Sequence, residues 1–292
     1  IRIDIDNKNK SLTITDNGIG MSREEIISNL GTIAKSGSKD FLSSFLKNGD
    51  KSNKLIGQFG VGFYSSFIVS NKVVVLSRRA GFSHDKGVKW VSEGKGTYEI
   101  EDIFKSDRGT SVTLFLKSDD YDLLNSWKLR QIAIKYSDHI SFPIIMKKDI
   151  ESKSESEDNK VIDIPSDEVI NKAVALWILP KSDIEDSQYI ELYKHISHDF
   201  SDPLLWIHTK VEGKLEYISL IYIPSKAQFD LWSNNKPKGL KLYVQRVFIF
   251  DTVEHFLPNY LRFVRGIIDS NDLPLNVSRE ILQTNKTIDN IR

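Results

Sequence analysis

The 292-residue chain contains no cysteine, and this absence excludes several kinds of chemistry. Without a thiol, the protein has no disulfide, no thiolate nucleophile and no metal site with cysteine ligands. Reducing compartments favour such a composition, because disulfides persist mainly in oxidising ones. We therefore expect a cytoplasmic location.

A net charge is also absent, because 40 basic residues balance 40 acidic ones. Nucleic-acid-binding proteins usually carry a basic excess, since they must neutralise phosphates. The balance therefore argues against a nucleic-acid partner. No apolar run approaches the roughly 18 residues that a membrane-spanning helix needs, so we expect no membrane association. The hydrophobic share of 40% is typical of a globular protein.

Periodic patterns along the chain predict a mixture of strands and helices. Alternating apolar residues from Ile1 to Ile14 predict a β-hairpin, and Ser22 with Glu25 forms a capping box that starts a helix. Further strands are predicted at 72–77, 87–92, 97–101, 110–116, 142–146, 215–223 and 240–250. Helices are predicted at 122–138, 184–196 and 258–264. We expect four tryptophans to be core residues: Trp127, Trp177, Trp206 and Trp232.

A charged run without aromatic residues, "KKDIESKSESEDNK", divides the pattern. Its composition is too polar to bury, so we interpret 149–165 as a linker. It separates a first domain at 1–148 from a second at 166–292, and the predicted fold class is α+β. The alternative is a solvated loop inside one domain.

Half of the sixteen glycines lie in the first 62 residues, mostly in two clusters. The first cluster, Asp16–Met21, follows a predicted strand, and the second, Gly57–Phe63, leads into a helical stretch. Glycine permits positive φ and the close approach of a ligand, and a glycine-rich turn before a helix presents N–H groups to phosphates. Each cluster alone is weak evidence, and the second lacks the Lys-Ser/Thr ending of a P-loop.

The order of these features is more specific: a strand, Asp-x-Gly-x-Gly, a polar segment, a glycine cluster, then Gly109-Thr110. It resembles the split ATP-binding sandwich shared by gyrase-type topoisomerases, mismatch-repair proteins, sensor histidine kinases and ninety-kilodalton heat-shock chaperones. The motifs "TDNGIGM", "NLGTIAKSG" and "IGQFGVGFYSSFIV" resemble the nucleotide domain of the heat-shock protein 90 family, bacterial type. "GLKLYVQRVFI" and "LPNYLRFVRGIIDSNDLPLNVSRE" resemble its α/β middle domain.

This resemblance implies ATP and Mg²⁺ as cofactors. Asp16 would accept a hydrogen bond from the adenine amine. The other implied contacts are to the base, the sugar and the phosphates, and they come from Gly20, Met21, Thr110, Asn29, Lys35, Gly60, Val61, Gly62 and Phe63. The polar segment from Gly31 to Gly57 corresponds to a lid.

The resemblance also implies catalytic roles for Arg279, which contacts the γ-phosphate, and for Gln283 on the same helical face. The family's general base, a glutamate, and its metal-binding asparagine lie on a helix upstream of the Asp16 strand. We expect that helix to precede Ile1, so the chain would contain no metal ligand and no general base. The C-terminal dimerisation domain would also lie outside the chain.

The implied function is an ATP-hydrolysing chaperone, homodimeric when intact, that remodels unfolded clients with possible help from co-chaperones. One alternative is a DNA mismatch-repair or topoisomerase-type ATPase, and another is a client-binding module without turnover. Phe229, Leu231 and Trp232 would form an apolar patch for clients, or lie buried. His195 and His198 have the spacing of a metal pair, but no acidic pattern accompanies them.

Overall fold

The computed structural model describes residues 1–32, 60–148, 166–213, 216–226, 238–252 and 257–270. The chain divides into two compact units, each with its own sheet. The first comprises Ile1–Ile134 and Phe142–Lys172, and the second comprises Lys135–Ser141 and Ala173–Arg292. The predicted linker at 149–165 lies outside the described residues, so the domain boundaries stay a prediction.

The first unit is built on a sheet of eight strands. Its strands are β1 (Arg2–Asp6), β2 (Ser11–Thr15), β3 (Ser70–Arg78), β4 (Gly87–Ser92), β5 (Tyr98–Ile103), β6 (Gly109–Leu116), β7 (Ile145–Lys147) and β8 (Asp167–Val169). Their order is β5-β4-β3-β6-β2-β1-β7-β8, and every neighbouring pair is antiparallel except β1 and β7. Sequence reasoning predicted most of these strands because they alternate between a packed and a polar face.

Four α-helices lie in the described part of the chain: α1 (Arg23–Leu30), α2 (Ser66–Val69), α3 (Ser126–Ser137) and α4 (Asp186–Ser197). The predicted capping box is present at the start of α1, with both reciprocal bonds between Ser22 and Glu25. The helix predicted at 122–138 begins instead with a 3₁₀ segment, Ser118–Leu124, before α3. The described residues also form five shorter 3₁₀ segments, which are Gly62–Ser65, His84–Lys86, Leu176–Ile178, Lys181–Asp183 and Asn259–Leu261.

The core of the first unit forms on one face of this sheet. Leu12, Leu114 and Val73 lie beside one another on three adjacent strands and are buried. Trp90 and Ile26 of α1 belong to the same apolar cluster. Such burial is the main source of stability, at about 25 cal/mol per Å² of apolar surface.

The prediction that Trp127 is a core residue is wrong, because its side chain is 67% exposed. Trp127 is the second residue of α3, where the helix contributes only Leu129 and Ala133 to the buried set. Trp177, by contrast, is buried as predicted, and Trp206 is half-buried. Trp232 lies outside the described residues.

The second unit contains a five-stranded sheet in the order β12-β11-β13-β10-β9. Its strands are β9 (Pro203–Val211), β10 (Tyr217–Pro224), β11 (Lys238–Val244), β12 (Val247–Thr252) and β13 (Arg265–Ser270). The pairing of β11 with β13 is parallel, and the other pairings are antiparallel. β9 and β13 were not predicted. All six residues of β13 are buried, so that strand lacks an alternating pattern.

Two predictions in the second unit are wrong. The strand predicted over 240–250 is a hairpin, because Gln245 and Arg246 adopt left-handed backbone conformations, with φ of 52° and 67°. Residues of these types rarely do so, since the conformation favours Gly and Asn. The helix predicted at 258–264 is limited to the 3₁₀ segment Asn259–Leu261.

Helix α4 supplies the core of the second unit with residues at helical spacing. Tyr189, Leu192, Tyr193 and Ile196 are all buried, at positions i, i+3, i+4 and i+7 of one face. They cluster with buried sheet residues, including Tyr222. The helix is therefore amphipathic, as the periodicity of the sequence predicted.

Candidate functional site

The turn Asp16–Met21 follows β2 and is hydrogen-bonded to β6 and to the residues just after β3. Asp16 and Thr110 exchange backbone hydrogen bonds of 2.8 and 3.2 Å, which continue the β2–β6 ladder by one pair. Farther along, the Ile19 carbonyl accepts from the Ala80 N–H at 2.6 Å. The turn is therefore held at both of its ends.

The Asp16 side chain is exposed and fixed in direction. Its Oδ1 accepts hydrogen bonds from the N–H of Gly18 at 2.8 Å and of Thr110 at 3.3 Å. An ionised carboxylate has about four acceptor sites, so two N–H donors leave capacity for a ligand. Both donors belong to the backbone, which orients the carboxylate without the rotational freedom of a side-chain partner.

Two glycines make this geometry possible. Gly20 has φ of +65°, and a Cβ there would lie 1.9 Å from the Arg78 carbonyl oxygen. Gly109 has φ of +101°, and a Cβ there would lie 2.2 Å from the Asp16 carbonyl oxygen. In both places a side chain would collide with backbone, so only glycine lets the turn pack against β3 and β6.

Sequence reasoning missed Ser77, which is fully buried at the end of β3. Its Oγ accepts from the Met21 N–H at 2.8 Å and lies 2.9 Å from the Thr110 Oγ1. It thus connects two residues that the resemblance assigns to the base pocket. The only indication in the sequence is a serine after the apolar run "VVVL", which is an ordinary strand ending.

The second glycine cluster is described from Gly60 onward. Gly60 has φ of +64°, and Gly62 begins a 3₁₀ segment that leads into α2. A Cβ on Gly62 would meet no atom of the described residues within 4 Å. The Phe63 ring packs edge-on against Trp90, with centroids 5.6 Å apart, which anchors the segment to the core.

Tyr64 connects this segment to α1. Its Oη donates to the Leu30 carbonyl at 3.1 Å, and burial raises the pKa of the phenol, which keeps it protonated as a donor. Asn29, predicted to contact the nucleotide, is half-buried in the last turn of the same helix. The second cluster and the end of α1 therefore lie close together.

Several predicted site residues lie outside the described part of the chain. These are the lid residue Lys35, the catalytic candidates Arg279 and Gln283, and the apolar patch formed by Phe229, Leu231 and Trp232. Most of the predicted lid at 31–57 also lies there. Their roles stay predictions.

The described residues contain no group of three or more His, Asp or Glu side chains that would hold a metal ion. His195 Nε2 lies 3.1 Å from the buried Asp138 carboxylate, whereas His198 ends α4 in a left-handed conformation with φ of 56°. The two histidines therefore have separate structural roles, a hydrogen-bond contact for His195 and a helix cap for His198. Nor do these parts of the chain include a helix with the length and apolarity required to cross a membrane.

Comparison with known proteins agrees with these features. Residues 1–112 match the family described as "Histidine kinase-, DNA gyrase B-, and HSP90-like ATPase", and residues 151–292 match "Hsp90 protein". The chain is 57% identical over its full length to a "Chaperone protein HtpG" of Coxiella burnetii, of which it covers 46%. It is 58% identical over its full length to the protein of that name from Photorhabdus laumondii, again covering 46%.

The chain therefore spans about half the length of the curated relatives that it matches. The two family matches follow each other along the chain as a nucleotide-binding ATPase region and an Hsp90-specific region. The turn Asp16–Met21 and the segment Gly60–Phe63 fall within the first, in an α+β fold of the split ATP-binding type. The chain belongs to the heat-shock protein 90 family.

Proposed function

We propose that the full-length protein containing these residues is an ATP-dependent molecular chaperone. It would bind and remodel unfolded or partly folded client proteins through ATP binding, lid closure and hydrolysis. Family membership supports this, as does the name of the relatives, "Chaperone protein HtpG". The observation that carries the nucleotide part is the exposed Asp16 carboxylate, oriented by two backbone N–H groups in a glycine-dependent turn.

The described residues fit a nucleotide. Asp16 would accept from the adenine amine, since a carboxylate is purely an acceptor when ionised. The N–H groups of Gly60–Phe63 would approach the phosphates, and this placement is supported by the lack of described atoms within 4 Å of a Cβ on Gly62. Gly20, Met21 and Thr110 would line the base pocket. Asn29 would reach the sugar and phosphates, together with Lys35, which lies outside the described residues.

Hydrolysis would depend on groups beyond this site. Arg279 would stabilise charge on the γ-phosphate, with Gln283 beside it, and the resemblance assigns the general base to a helix before Ile1. Glu25 is engaged elsewhere, because it completes the capping box and pairs with Arg79. Glu24 accepts from the Ser22 hydroxyl. These contacts support our proposal that neither glutamate is the base.

Mg²⁺ belongs to the proposal as the companion of ATP. The resemblance implies that its protein ligand would be an asparagine on the helix before Ile1. Clients, co-chaperones, a homodimeric state and a cytoplasmic location are proposed on the resemblance alone. The DNA-directed ATPase alternative is less well supported, because residues 151–292 match the Hsp90-specific family.

An aggregation assay tests the proposal. The full-length protein should suppress the aggregation of a heat-denatured client, and ATP should change the extent or rate of that suppression. Asp16→Asn should remove the effect of ATP while leaving nucleotide-free suppression intact. Tight binding of duplex DNA at physiological salt, together with no effect on aggregation, would favour the DNA-directed alternative.

A phosphate-release assay addresses the catalytic part. A polypeptide of these 292 residues alone should release no phosphate from ATP above background, because a water must be oriented by a base and the phosphates bridged by a metal. The full-length protein is the positive control. Turnover by the 292-residue polypeptide near the full-length rate, lost on Asp16→Asn, would contradict the assignment of the base.

A further inference from the structure

The buried hydroxyl of Ser77 has three polar neighbours. The Met21 N–H donates to it at 2.8 Å, the Thr110 Oγ1 lies at 2.9 Å, and the Gly109 carbonyl oxygen lies at 3.3 Å. Ser77 is 0% exposed, so water does not compete for these positions. Its hydrogen-bond directions are therefore determined by the protein.

The single proton of Ser77 has two acceptors to choose from. Bonds of the O–H···O type usually measure about 2.5–3.0 Å, so the contact with Gly109 is long and the contact with Thr110 is normal. The proton is therefore better placed on the line to Thr110. Either hydroxyl of the pair could be the donor, and if Ser77 donates, Thr110 accepts and its own proton is left for another acceptor.

We infer that Ser77 is a positioning residue that makes the Thr110 hydroxyl a hydrogen-bond donor beside the acceptor Asp16, and that this pair selects adenine over hypoxanthine. The inference rests on the proposed nucleotide function. Ser77 itself would not contact the base and would act on base recognition through Thr110.

The backbone brings the two groups of this pair together. The Asp16 Oδ1 lies 3.3 Å from the Thr110 N, and the two residues also exchange backbone hydrogen bonds. At Gly109 and Gly20 the turn lies so close to neighbouring backbone that a Cβ on either would collide with it. The direction of the Thr110 proton is therefore the adjustable feature of the pair.

An acceptor next to a donor matches one edge of adenine. The amino group of adenine donates to a carboxylate, and the adjacent ring nitrogen accepts from a hydroxyl. Hypoxanthine has the opposite pattern, because a carbonyl and a ring N–H occupy the same positions. With hypoxanthine, the Asp16 carboxylate would face a carbonyl oxygen, and the Thr110 hydroxyl proton would face a ring N–H. Both protein groups would be left unpaired, and such unpaired groups are the strongest source of discrimination between substrates.

The test is the ratio of ADP to IDP affinity, measured by calorimetry on the full-length protein. Wild type should prefer ADP. Ser77→Ala should lower the ADP/IDP ratio by about tenfold, the effect of one hydrogen bond, because the freed Thr110 hydroxyl can reverse and accept from the hypoxanthine N–H. Ser77→Thr retains the hydroxyl and should restore the ratio.

Ser111→Ala is the matched control. It removes the same atom from another hydroxyl pair of β6, in which Thr15 Oγ1 donates to Ser111 Oγ at 3.1 Å. The neighbouring residues of a strand face opposite sides of the sheet, so Ser111 does not face Ser77. The control should leave the ADP/IDP ratio unchanged.

The outcomes separate this inference from the proposed function. If wild type binds neither nucleotide, the proposed function fails and the inference with it. If wild type prefers ADP but Ser77→Ala weakens ADP and IDP equally, Ser77 is merely structural and the inference is overturned. If thermal melting shows that Ser77→Ala does not fold, Ser77→Cys decides, since a thiol fills the space as a weak donor. A ratio for Ser77→Cys equal to that of Ser77→Thr would overturn the inference.

Discussion

Two aspartates, one in each unit, accept similar hydrogen bonds and differ in burial. Asp16 accepts from the N–H of Gly18 and of Thr110, and its side chain is exposed. Asp269 accepts from Trp177 Nε1 at 2.9 Å and from the Arg246 N–H at 3.3 Å, and it is only 6% exposed. The same chemical group is thus available to a ligand in one unit and part of the core in the other.

The surroundings of Asp269 reinforce this contrast. Burial raises the pKa of its carboxyl, although the bond from Trp177 opposes the effect. Nearby, His208 lies between the Tyr189 hydroxyl at 2.8 Å and the Trp177 carbonyl at 2.9 Å. Since these groups bond to one another inside the unit, they contribute to its stability.

The largest expected effect is a difference in protein stability between variants of the two aspartates. Asp269→Ala should lower the free energy of unfolding of the second unit by about 2–4 kcal/mol, because it leaves the buried Trp177 N–H and the half-buried Arg246 N–H without this acceptor. Asp16→Ala, the control, should cost under about 1 kcal/mol, because water replaces the carboxylate. In the full-length protein, hydrogen exchange of the β2 amides measures the stability of the first unit, and exchange of the β10 amides measures that of the second. Equal losses of stability in the two variants would contradict the structural difference between the buried Asp269 and the exposed Asp16.

A smaller effect should follow from pH. Burial lowers the pKa of His208, and unfolded histidine has a pKa of about 6.5. The stability that neutral His208 provides is therefore complete above about pH 6.5 and is lost as the pH falls towards the folded pKa. Exchange of the β10 amides should accelerate between about pH 7 and pH 5 relative to the intrinsic rate. His208→Asn should weaken the pH dependence of β10 exchange. If the variant shows the same pH dependence as wild type, groups other than His208 cause it.

The smallest effect on stability should come from Gly62→Ala. Among the residues that the structure describes, no atom lies within 4 Å of the added Cβ, so we expect a change within about 0.5 kcal/mol. ADP affinity should nevertheless fall, because the methyl group would occupy the space proposed for a phosphate. Thermal melting and ADP titration of one variant distinguish the two effects. An unchanged ADP affinity would place the phosphates elsewhere.

The sequence predicted those features that depend on local patterns. The capping box of Ser22 and Glu25 is present because both partners lie within one turn. The α4 helix follows the spacing of its buried face, and most strands of the first unit follow their alternation. The glycines of the Asp16 turn were recognised for the same reason, since their positive φ values belong to a local turn.

The features that the sequence did not predict depend on distant contacts. The hairpin at Gln245 and Arg246 has no turn-type residues, and its geometry accompanies a bond from the Arg246 N–H to Asp269. Ser77 bonds to residues 56 and 33 positions away. No pattern along the chain reveals such pairs, because they exist only after the sheet has formed.

The most direct test of the central claim, that Asp16 binds the adenine base, is a calorimetric titration of ADP into the full-length protein and its Asp16→Asn variant. The variant keeps the shape of the side chain and loses its charge. We predict that it binds ADP more weakly by about 1–3 kcal/mol, the value of a hydrogen bond to a charged group. Unchanged thermal stability should accompany that loss. An unchanged ADP affinity would contradict the account and remove Asp16 from the site.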